Sequence, residues 1–305
     1  MTIEVINVTK FFGKFMALDK VSLNVNNGEI VGYVGLNGAG KTTTIRISVG
    51  VLPPSSGDAL IDGYSVTKDK KKASRLTGWV PEQPIFETDF KAIDYFIYLA
   101  GYYGYSTSEA RRLARELLER FGLSEALNMK LSSYSLGMKK RFALAVSMID
   151  DPPNFIFDEV LNGLDPKGIA YFRELALEFK KEGKAVFFSS HILSEVEGLA
   201  DRVVFIHKGK IVGLYTLEEI KYMAKPAVEL VLSSITEEVL KILREYGEPI
   251  VLNERKVIIK GYAKDRGDLV RDLVRAGTRI YEIKQEEKSL EDFFFELIKR
   301  ADMVR

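Results

Sequence analysis

The run Gly35-Leu36-Asn37-Gly38-Ala39-Gly40-Lys41-Thr42 constrains the fold of this 305-residue chain more than any other feature. It follows an apolar stretch, Ile30–Val34, and precedes residues with helical spacing, so it predicts a tight strand-to-helix turn. Its glycines let backbone N–H groups point inward, and the helix start adds its positive end. Such a loop binds phosphates, with Lys41 reaching the terminal phosphates and Thr42 a magnesium ion. The sequence therefore predicts a nucleotide-binding α/β fold.

A second apolar stretch, Phe155–Phe157, ends in the acidic pair Asp158-Glu159. The carboxyl ends of parallel strands gather ligands, so we expect both carboxylates near the phosphate loop. Asp158 suits magnesium coordination, whereas Glu159 projects differently and can polarise a water for attack on a γ-phosphate. A polar strand end is common by itself, but beside a phosphate loop it predicts hydrolysis of MgATP.

The order of apolar segments predicts one large domain over residues 1–224. Short apolar strands alternate with helical stretches, as a parallel sheet with crossovers requires. Between about residues 84 and 149 the apolar spacing is helical, which predicts a helical subdomain. There, Ser106 and Glu109 predict a capping box, and Gly122 the end of the same helix. The lysines between residues 68 and 72 predict a solvated loop.

The composition changes at Lys225-Pro226, which predicts a second, smaller domain over residues 225–305. Its pattern is strand, helix, two strands, helix and strand, with a final helix from Leu290. This βαββαβ order predicts an α+β domain of ferredoxin-like type. No catalytic motif lies in it, so we expect a regulatory or dimerising role.

Charge and hydropathy exclude several classes of protein. The 44 basic and 43 acidic residues nearly cancel, so we expect no nucleic-acid partner. The absence of cysteine excludes disulfides and thiolate chemistry. We see no secretion signal and no apolar run approaching ~20 residues, and we therefore expect the protein not to cross a membrane.

A third motif, Tyr134–Met138, precedes the apolar stretch Lys139–Ile149, which predicts a buried helix. Ser135 and Gly137 then form a second helix start that can bind an anion. The alternative is that Ser135 only caps the helix.

With these motifs in this order, the sequence resembles the nucleotide-binding domains of ABC transporters from Thr2 to about Ile220. Tyr134–Met138 is similar to the signature loop of that family, Ser190-His191 to its switch histidine and Gly163-Leu164-Asp165 to its D-loop. The resemblance implies site residues of five kinds. They are Phe12, Gly35, Leu36, Asn37, Gly38, Ala39, Gly40, Lys41, Thr42, Thr43 and Gln83 for the nucleotide; Thr42, Gln83 and Asp158 for the metal; Glu159 and His191 for catalysis; Ser135, Gly137 and Met138 for the signature in trans; and Asp165 for the D-loop.

The sequence departs from the family pattern at three places. Val160-Leu161 stands where Pro-Thr is usual, and Leu136 replaces a signature glycine. Neither change removes a charged or hydroxyl group from the proposed chemistry, so we still expect ATPase activity. At the Q-loop, chemistry favours Gln83 as the family's glutamine, whereas register favours Glu82.

The resemblance implies an ATPase subunit that uses ATP and Mg²⁺ and acts as a dimer, with a second copy or a paralogous ATPase subunit. Two such domains pack head to tail, so that the signature loop of one covers the ATP of the other. The dimer drives a separate transmembrane permease, which implies a peripheral position on the cytoplasmic face of the cell membrane. The helical subdomain is the part expected to dock on the permease.

The final segment, Ser289–Phe294, looks like the extension on ATPase subunits of two-gene exporters, which favours export over uptake. One alternative is a soluble ABC ATPase that acts in translation or chromosome upkeep. The single phosphate loop and the absence of a long coiled coil argue against it. Another alternative is a regulator that no longer hydrolyses ATP, against which Glu159 and His191 argue.

Overall fold

The computed structural model describes residues 2–223, 227–261, 265–286 and 290–303. The chain divides into two compact units, Met1–Leu214 and Tyr215–Arg305. Each unit has an apolar cluster made only of its own residues. The predicted boundary at Lys225-Pro226 lies outside the described residues and stays a prediction. No helix in the described ranges has the length and hydropathy needed to span a bilayer.

The first unit contains strands from two sheets, and the last strand continues across the unit boundary. They are β1 (Ile3–Phe12), β2 (Phe15–Val25), β3 (Ile30–Val34), β4 (Ser56–Ile61), β5 (Tyr64–Ser65), β6 (Thr77–Val80), β7 (Asn154–Phe157), β8 (Ala185–Ser190), β9 (Arg202–His207) and β10 (Lys210–Thr216). The helices of this unit are α1 (Lys41–Ser48), α2 (Lys70–Arg75), α3 (Ala92–Gly101), α4 (Thr107–Arg120), α5 (Leu136–Ser147), α6 (Pro166–Lys181) and α7 (Leu193–Glu197).

The larger sheet has six strands in the order β10-β9-β3-β8-β7-β6. Strand β3 pairs in parallel with β8 and β9, and β7 pairs in parallel with β8 and β6. The carboxyl ends of these strands therefore meet at one edge of the sheet. That edge holds the phosphate loop after β3, the acidic pair after β7 and His191 after β8. The second sheet is antiparallel, in the order β2-β1-β4-β5.

Both faces of the parallel sheet are covered, which explains its continuous apolar strands. Phe155 and Phe157 of β7 face α6. The Phe155 ring stacks on Phe179 with centroids 3.9 Å apart, and the Phe157 ring meets Phe172 edge-on at 5.2 Å. Ile156, between them, points the other way and joins an apolar cluster shared by both sheets and α1.

The predicted helical subdomain is present, since α3, α4 and α5 all lie between β6 and β7. The capping box of α4 is confirmed. The Glu109 N–H donates to Ser106 Oγ at 3.4 Å, and the Ser106 N–H donates to Glu109 Oε2 at 2.9 Å. Gly122, just after this helix, has a φ of 65°.

The expectation of a loop at the lysine cluster is wrong. Residues 70–75 form α2, whose lysines are exposed and whose only buried residue is Ala73. A single buried apolar position gives no detectable helical period, so this short helix could not be recognised from its spacing.

The second unit begins with the end of β10 and α8 (Leu217–Met223). It continues as β11 (Ala227–Leu232), α9 (Glu237–Tyr246), β12 (Glu248–Val251), β13 (Lys256–Lys260), α10 (Arg266–Arg275), β14 (Ile280–Glu286) and α11 (Leu290–Met303). Its sheet has the order β12-β13-β11-β14 with antiparallel pairs throughout. The ferredoxin-like prediction is confirmed by this order. Of the predicted C-terminal motif, Ser289 lies outside the described residues.

The separate cores predict that the residues after about 225, which make up most of the second unit, can be removed. A chain that ends near Lys225 keeps every strand of both sheets in the first unit, so it should fold and still bind nucleotide. Thermal unfolding followed by circular dichroism, together with binding of a fluorescent ATP analogue, measures both properties.

A chain that ends at Ala200 is the matched control, because it removes β9 from beside β3 and should not fold. If the chain ending near Lys225 were insoluble or failed to bind nucleotide, the first unit would depend on the second.

Candidate functional site

The phosphate loop joins β3 to α1, as its spacing predicts. Gly40, just before α1, has a φ of 114°, a backbone conformation that residues other than glycine rarely adopt. Gly35 is required for a different reason. A Cβ there would lie 2.5 Å from the carbonyl oxygen of Ile206 in β9. The loop can therefore close against the neighbouring strand only with glycine at this position.

Lys41 is buried at the start of α1, with its ammonium group turned back over the loop. Its Nζ donates to the carbonyl oxygen of Gly35 at 2.7 Å and lies 3.1 Å from Glu159 Oε1. The positive charge is thus held between the loop backbone and the acidic end of β7.

Glu159 makes contacts through both carboxylate oxygens. Besides the Lys41 contact, its Oε2 lies 2.9 Å from His191 Nδ1 and accepts from Asn162 Nδ2 at 3.1 Å. The residue is buried and has a φ of 47°, in the left-handed region that a glutamate seldom adopts. Such a conformation costs free energy and persists because surrounding contacts hold it.

Asp158 lies directly beside this residue and faces the loop. Its Oδ1 accepts from Ser189 Oγ at 2.8 Å and from Thr42 Oγ1 at 3.3 Å. Burial raises the pKa of Asp158, and the hydrogen bonds from Ser189 and Thr42 oppose that rise. A carboxylate next to a hydroxyl offers the hard oxygen donors that Mg²⁺ prefers.

Within the described ranges, no cluster of three or more acidic, histidine or cysteine side chains could hold a metal alone. The oxygens of Asp158 and Thr42 fit an ion that completes its shell with phosphate oxygens and water.

A cavity of about 490 Å³ opens over these groups. It combines exposed aromatic rings from β1 and β2 with the phosphate loop and the charged groups of Glu159 and His191. The lining residues are Phe12, Phe15, Ala17, Asn37, Gly38, Gly40, Lys41, Thr42, Thr43, Glu82, Glu159, Asn162 and His191. Of the predicted loop residues, Gly35, Leu36 and Ala39 shape the turn without lining the cavity.

Glu82 lines the cavity, whereas Gln83 is absent from its described lining. Strand β6 ends at Val80, and Glu82 lies two residues beyond that end. Glu82 is also close enough for its charge to contribute to the raised pKa of Asp158. The position of Glu82 favours the register alternative, and the assignment of Gln83 to the nucleotide and the metal stays a prediction.

The signature residues lie apart from this cavity. Ser135 caps α5, since its Oγ accepts from the Met138 N–H at 3.2 Å. Ser135, Gly137 and Met138 are absent from the described lining, and Ser135 is exposed. Asp165 is likewise outside the lining and caps α6 by accepting from the Gly168 N–H at 2.8 Å. The signature residues of a chain therefore do not line the described cavity over its own phosphate loop.

Several site residues were missed by sequence reasoning. Ser189 and Asn162 contact the acidic pair, and Phe15 adds a second ring beside Phe12. The sequence indicated Ser189 and Asn162 only through their closeness to predicted site residues. Ser189 comes two residues before His191, and Asn162 follows Glu159 by three residues. Sequence reasoning also missed Lys140, because it lies in the stretch Lys139–Ile149 that was interpreted as an apolar, buried helix. It is 1% exposed, and its Nζ contacts the backbone after β7.

Comparison with known proteins agrees with this geometry. A family profile described as ABC transporter matches residues 18–162. The bacitracin transport ATP-binding protein BcrA of Bacillus licheniformis is 34% identical over 97% of this chain and 97% of its own length.

Two solved structures share the fold. One, an ATP-binding subunit of an ABC transporter, is 31% identical with a TM-score of 0.67, covering 72% of this chain and 92% of its own. The other is a dimeric, post-hydrolysis state of the ATP-binding cassette MJ0796 bound to ADP and Pi. It is 25% identical with a TM-score of 0.65, covering 70% and 98% of the two chains. With a relative this similar along nearly its whole length, the chain belongs to the ABC transporter family as an ATP-binding subunit, and it is an ATPase.

Proposed function

We propose that this chain binds MgATP and hydrolyses it as one half of a dimer that powers export through a separate transmembrane permease. The observation that carries the proposal is the carboxylate of Glu159, which lines the cavity between Lys41 and His191. A base, a cation for the terminal phosphates and an orienting imidazole therefore share one concave site.

Hydrolysis follows from this arrangement. Lys41 donates to oxygens of the terminal phosphates, which compete with Glu159 for its ammonium group. The carboxylate of Glu159 accepts a proton from water as the water oxygen bonds to the γ-phosphorus. The bond from that phosphorus to the bridging oxygen breaks, giving ADP and phosphate. His191 holds Oε2 of Glu159, and Oε1 can face the water once the phosphates compete with it for the ammonium group of Lys41.

Magnesium is assigned to Asp158 and Thr42, whose oxygens face each other at 3.3 Å. A bound magnesium ion supplies positive charge against the phosphate oxygens. Glu82 stands at the Q-loop position, where it adds a third oxygen donor to this side of the cavity. Phe12 and Phe15, which are 49% and 67% exposed, offer their rings to the adenine.

The dimer is supported by where the signature loop lies. Ser135 is exposed and Leu136 is 52% exposed, and the described cavity lining excludes both. A γ-phosphate bound to one loop therefore meets the start of α5 only if a partner chain supplies it. The dimeric form of the similar MJ0796 cassette supports a dimer for this chain as well. The partner is a second copy or a paralogous ATPase subunit.

Export is supported by the similarity to a bacitracin transport subunit along nearly the whole length of the chain. The helical subdomain containing α3, α4 and α5 is the surface we assign to the permease, at the cytoplasmic face of the membrane. Closure of the dimer on ATP is then passed to the permease as a movement of this subdomain. The second unit is assigned a regulatory or dimerising role.

Glu159→Gln should bind MgATP with near-normal affinity and lose about 100-fold or more in kcat, because the amide keeps the shape and cannot accept the proton. Turnover by phosphate release and affinity by equilibrium binding measure the two effects. Glu178→Gln, which alters an exposed ion pair with Arg120, is the matched control and should keep normal turnover. Wild-type turnover in Glu159→Gln would remove the proposed base.

The signature loop should act in trans. Ser135→Arg places a bulky side chain at the start of α5, and Lys41→Ala removes the phosphate-binding cation, so each variant alone should be inactive. A dimer that contains one chain of each kind keeps one intact site, made from the unaltered half of each chain. With random pairing, the mixture should recover up to about a quarter of wild-type activity if one site can act alone.

Crosslinking with a γ-phosphate analogue checks the same point directly. The analogue bound to one chain should label the signature loop of the other. Labelling within a single chain would contradict the dimer mechanism, whatever the activity of the mixture.

A further inference from the structure

Lys140 is a buried cation with no role in the chemistry described so far. It lies on α5, one turn after the signature residues, and only 1% of it is exposed. Its Nζ donates to the carbonyl oxygen of Glu159 at 2.8 Å and to that of Val160 at 3.1 Å. These carbonyls belong to the turn that follows β7, not to a carboxylate partner.

A buried charge bonded to backbone is an unusual way to stabilise a core. Replacing buried charges by apolar residues of similar volume is often neutral or stabilising, so stability alone gives little reason for a lysine here. Burial lowers the pKa of Lys140, while the charges of Glu82, Glu159, Glu195 and Asp158 oppose that shift. The acidic groups around the catalytic turn therefore offset only part of the cost of burying the Lys140 charge.

The two carbonyls belong to the strained part of the chain. Glu159 has a left-handed φ of 47°, and its own N–H donates to Ser189 Oγ at 3.0 Å. Its carbonyl oxygen accepts from Lys140 and also from the Asn162 N–H at 3.2 Å. The peptide groups on both sides of Glu159 are thus fixed, and Lys140 supplies the one charged contact among them.

We propose that Lys140 is a positioning residue for hydrolysis, which holds the backbone of Glu159 in the conformation from which its carboxylate reaches Lys41 and His191. The inference rests on the proposed role of Glu159 as the base. The start of α5 also carries the signature residues, which a chain offers to the nucleotide of its partner. Lys140 therefore connects those residues to Glu159, whose carboxylate serves the chain's own nucleotide.

A second contact supports this connection between α5 and the catalytic turn. Leu136, at the start of α5, packs over Gly163, where an added Cβ would lie 2.8 Å from Leu136 Cδ2. The helix therefore meets the turn after Glu159 at two points, one apolar and one charged. A shift of α5 when a partner binds would change the position of Glu159 through both contacts, that of Leu136 with Gly163 and that of Lys140 with the backbone.

Lys140→Met tests the proposal, because methionine keeps the length and apolar stem of lysine and removes the donors. The expected result is a loss of about 10- to 100-fold in kcat at saturating MgATP, with KM and nucleotide affinity changed less than about threefold. Lys184→Met is the matched control. Lys184 is also a buried lysine, paired with Asp151 and Glu182, but it precedes β8 at the opposite edge of the sheet. Its loss should leave kcat unchanged.

A double variant separates positioning from simple damage to α5. In a Glu159→Gln background, Lys140→Met should change the residual turnover less than about twofold, because the group it positions is already inactive. ATP-driven dimerisation of that double variant, followed by light scattering, should match that of Glu159→Gln alone. Reduced dimerisation or reduced nucleotide affinity would show that Lys140 only supports the helix and would overturn the proposal.

Lys140→Gln covers the case in which the methionine variant does not fold. Its amide keeps N–H donors but is shorter than lysine and uncharged, so kcat should fall between those of wild type and Lys140→Met. Normal kcat in either folded variant would overturn the proposal. Normal turnover in Glu159→Gln alone would instead remove the base on which the proposal rests, and it is measured separately.

Discussion

The site depends on how the chain turns at the end of β7. Glu159 adopts a left-handed backbone conformation there, and its carboxylate lies between Lys41 and His191. That conformation is costly for a residue with a side chain, so other parts of the fold must hold it. Ser189 on β8 and Lys140 on α5 bind the two peptide groups. The carboxylate proposed as the base is therefore placed by contacts from three separate elements, β7, β8 and α5.

The parallel sheet makes these contacts possible because it brings the carboxyl ends of its strands together at one edge. The phosphate loop follows β3, the acidic pair follows β7 and the histidine follows β8, all on one edge. Covering both faces of this sheet fixes the strands closely enough for contacts near 3 Å between their ends. The phosphate loop, in turn, closes against β9 only because Gly35 has no side chain.

The arrangement also agrees with the proposal that one chain alone provides only part of a site. Its cavity holds the cation, the base and the aromatic rings, whereas its signature loop starts α5 outside the cavity lining. A helix start that lies outside its own cavity can serve a phosphate held by a partner. Each chain then has two half-sites, the cavity over its phosphate loop and its signature loop, and α5 lies between them in the proposed coupling. The contacts of Lys140 and Leu136 with the turn after β7 connect α5 to the cavity.

Local patterns in the sequence determined the phosphate loop, the acidic pair, the capping box of α4 and the ferredoxin-like order of the second unit. Each depends on spacing along a single segment, where steric limits and side-chain periodicity act directly. Tertiary structure decided what depends on contacts between segments. It placed Glu82, two residues beyond the end of β6, in the lining of the cavity. It also buried Lys140 against the backbone of Glu159, 19 residues further along the chain, where no local pattern could connect the two.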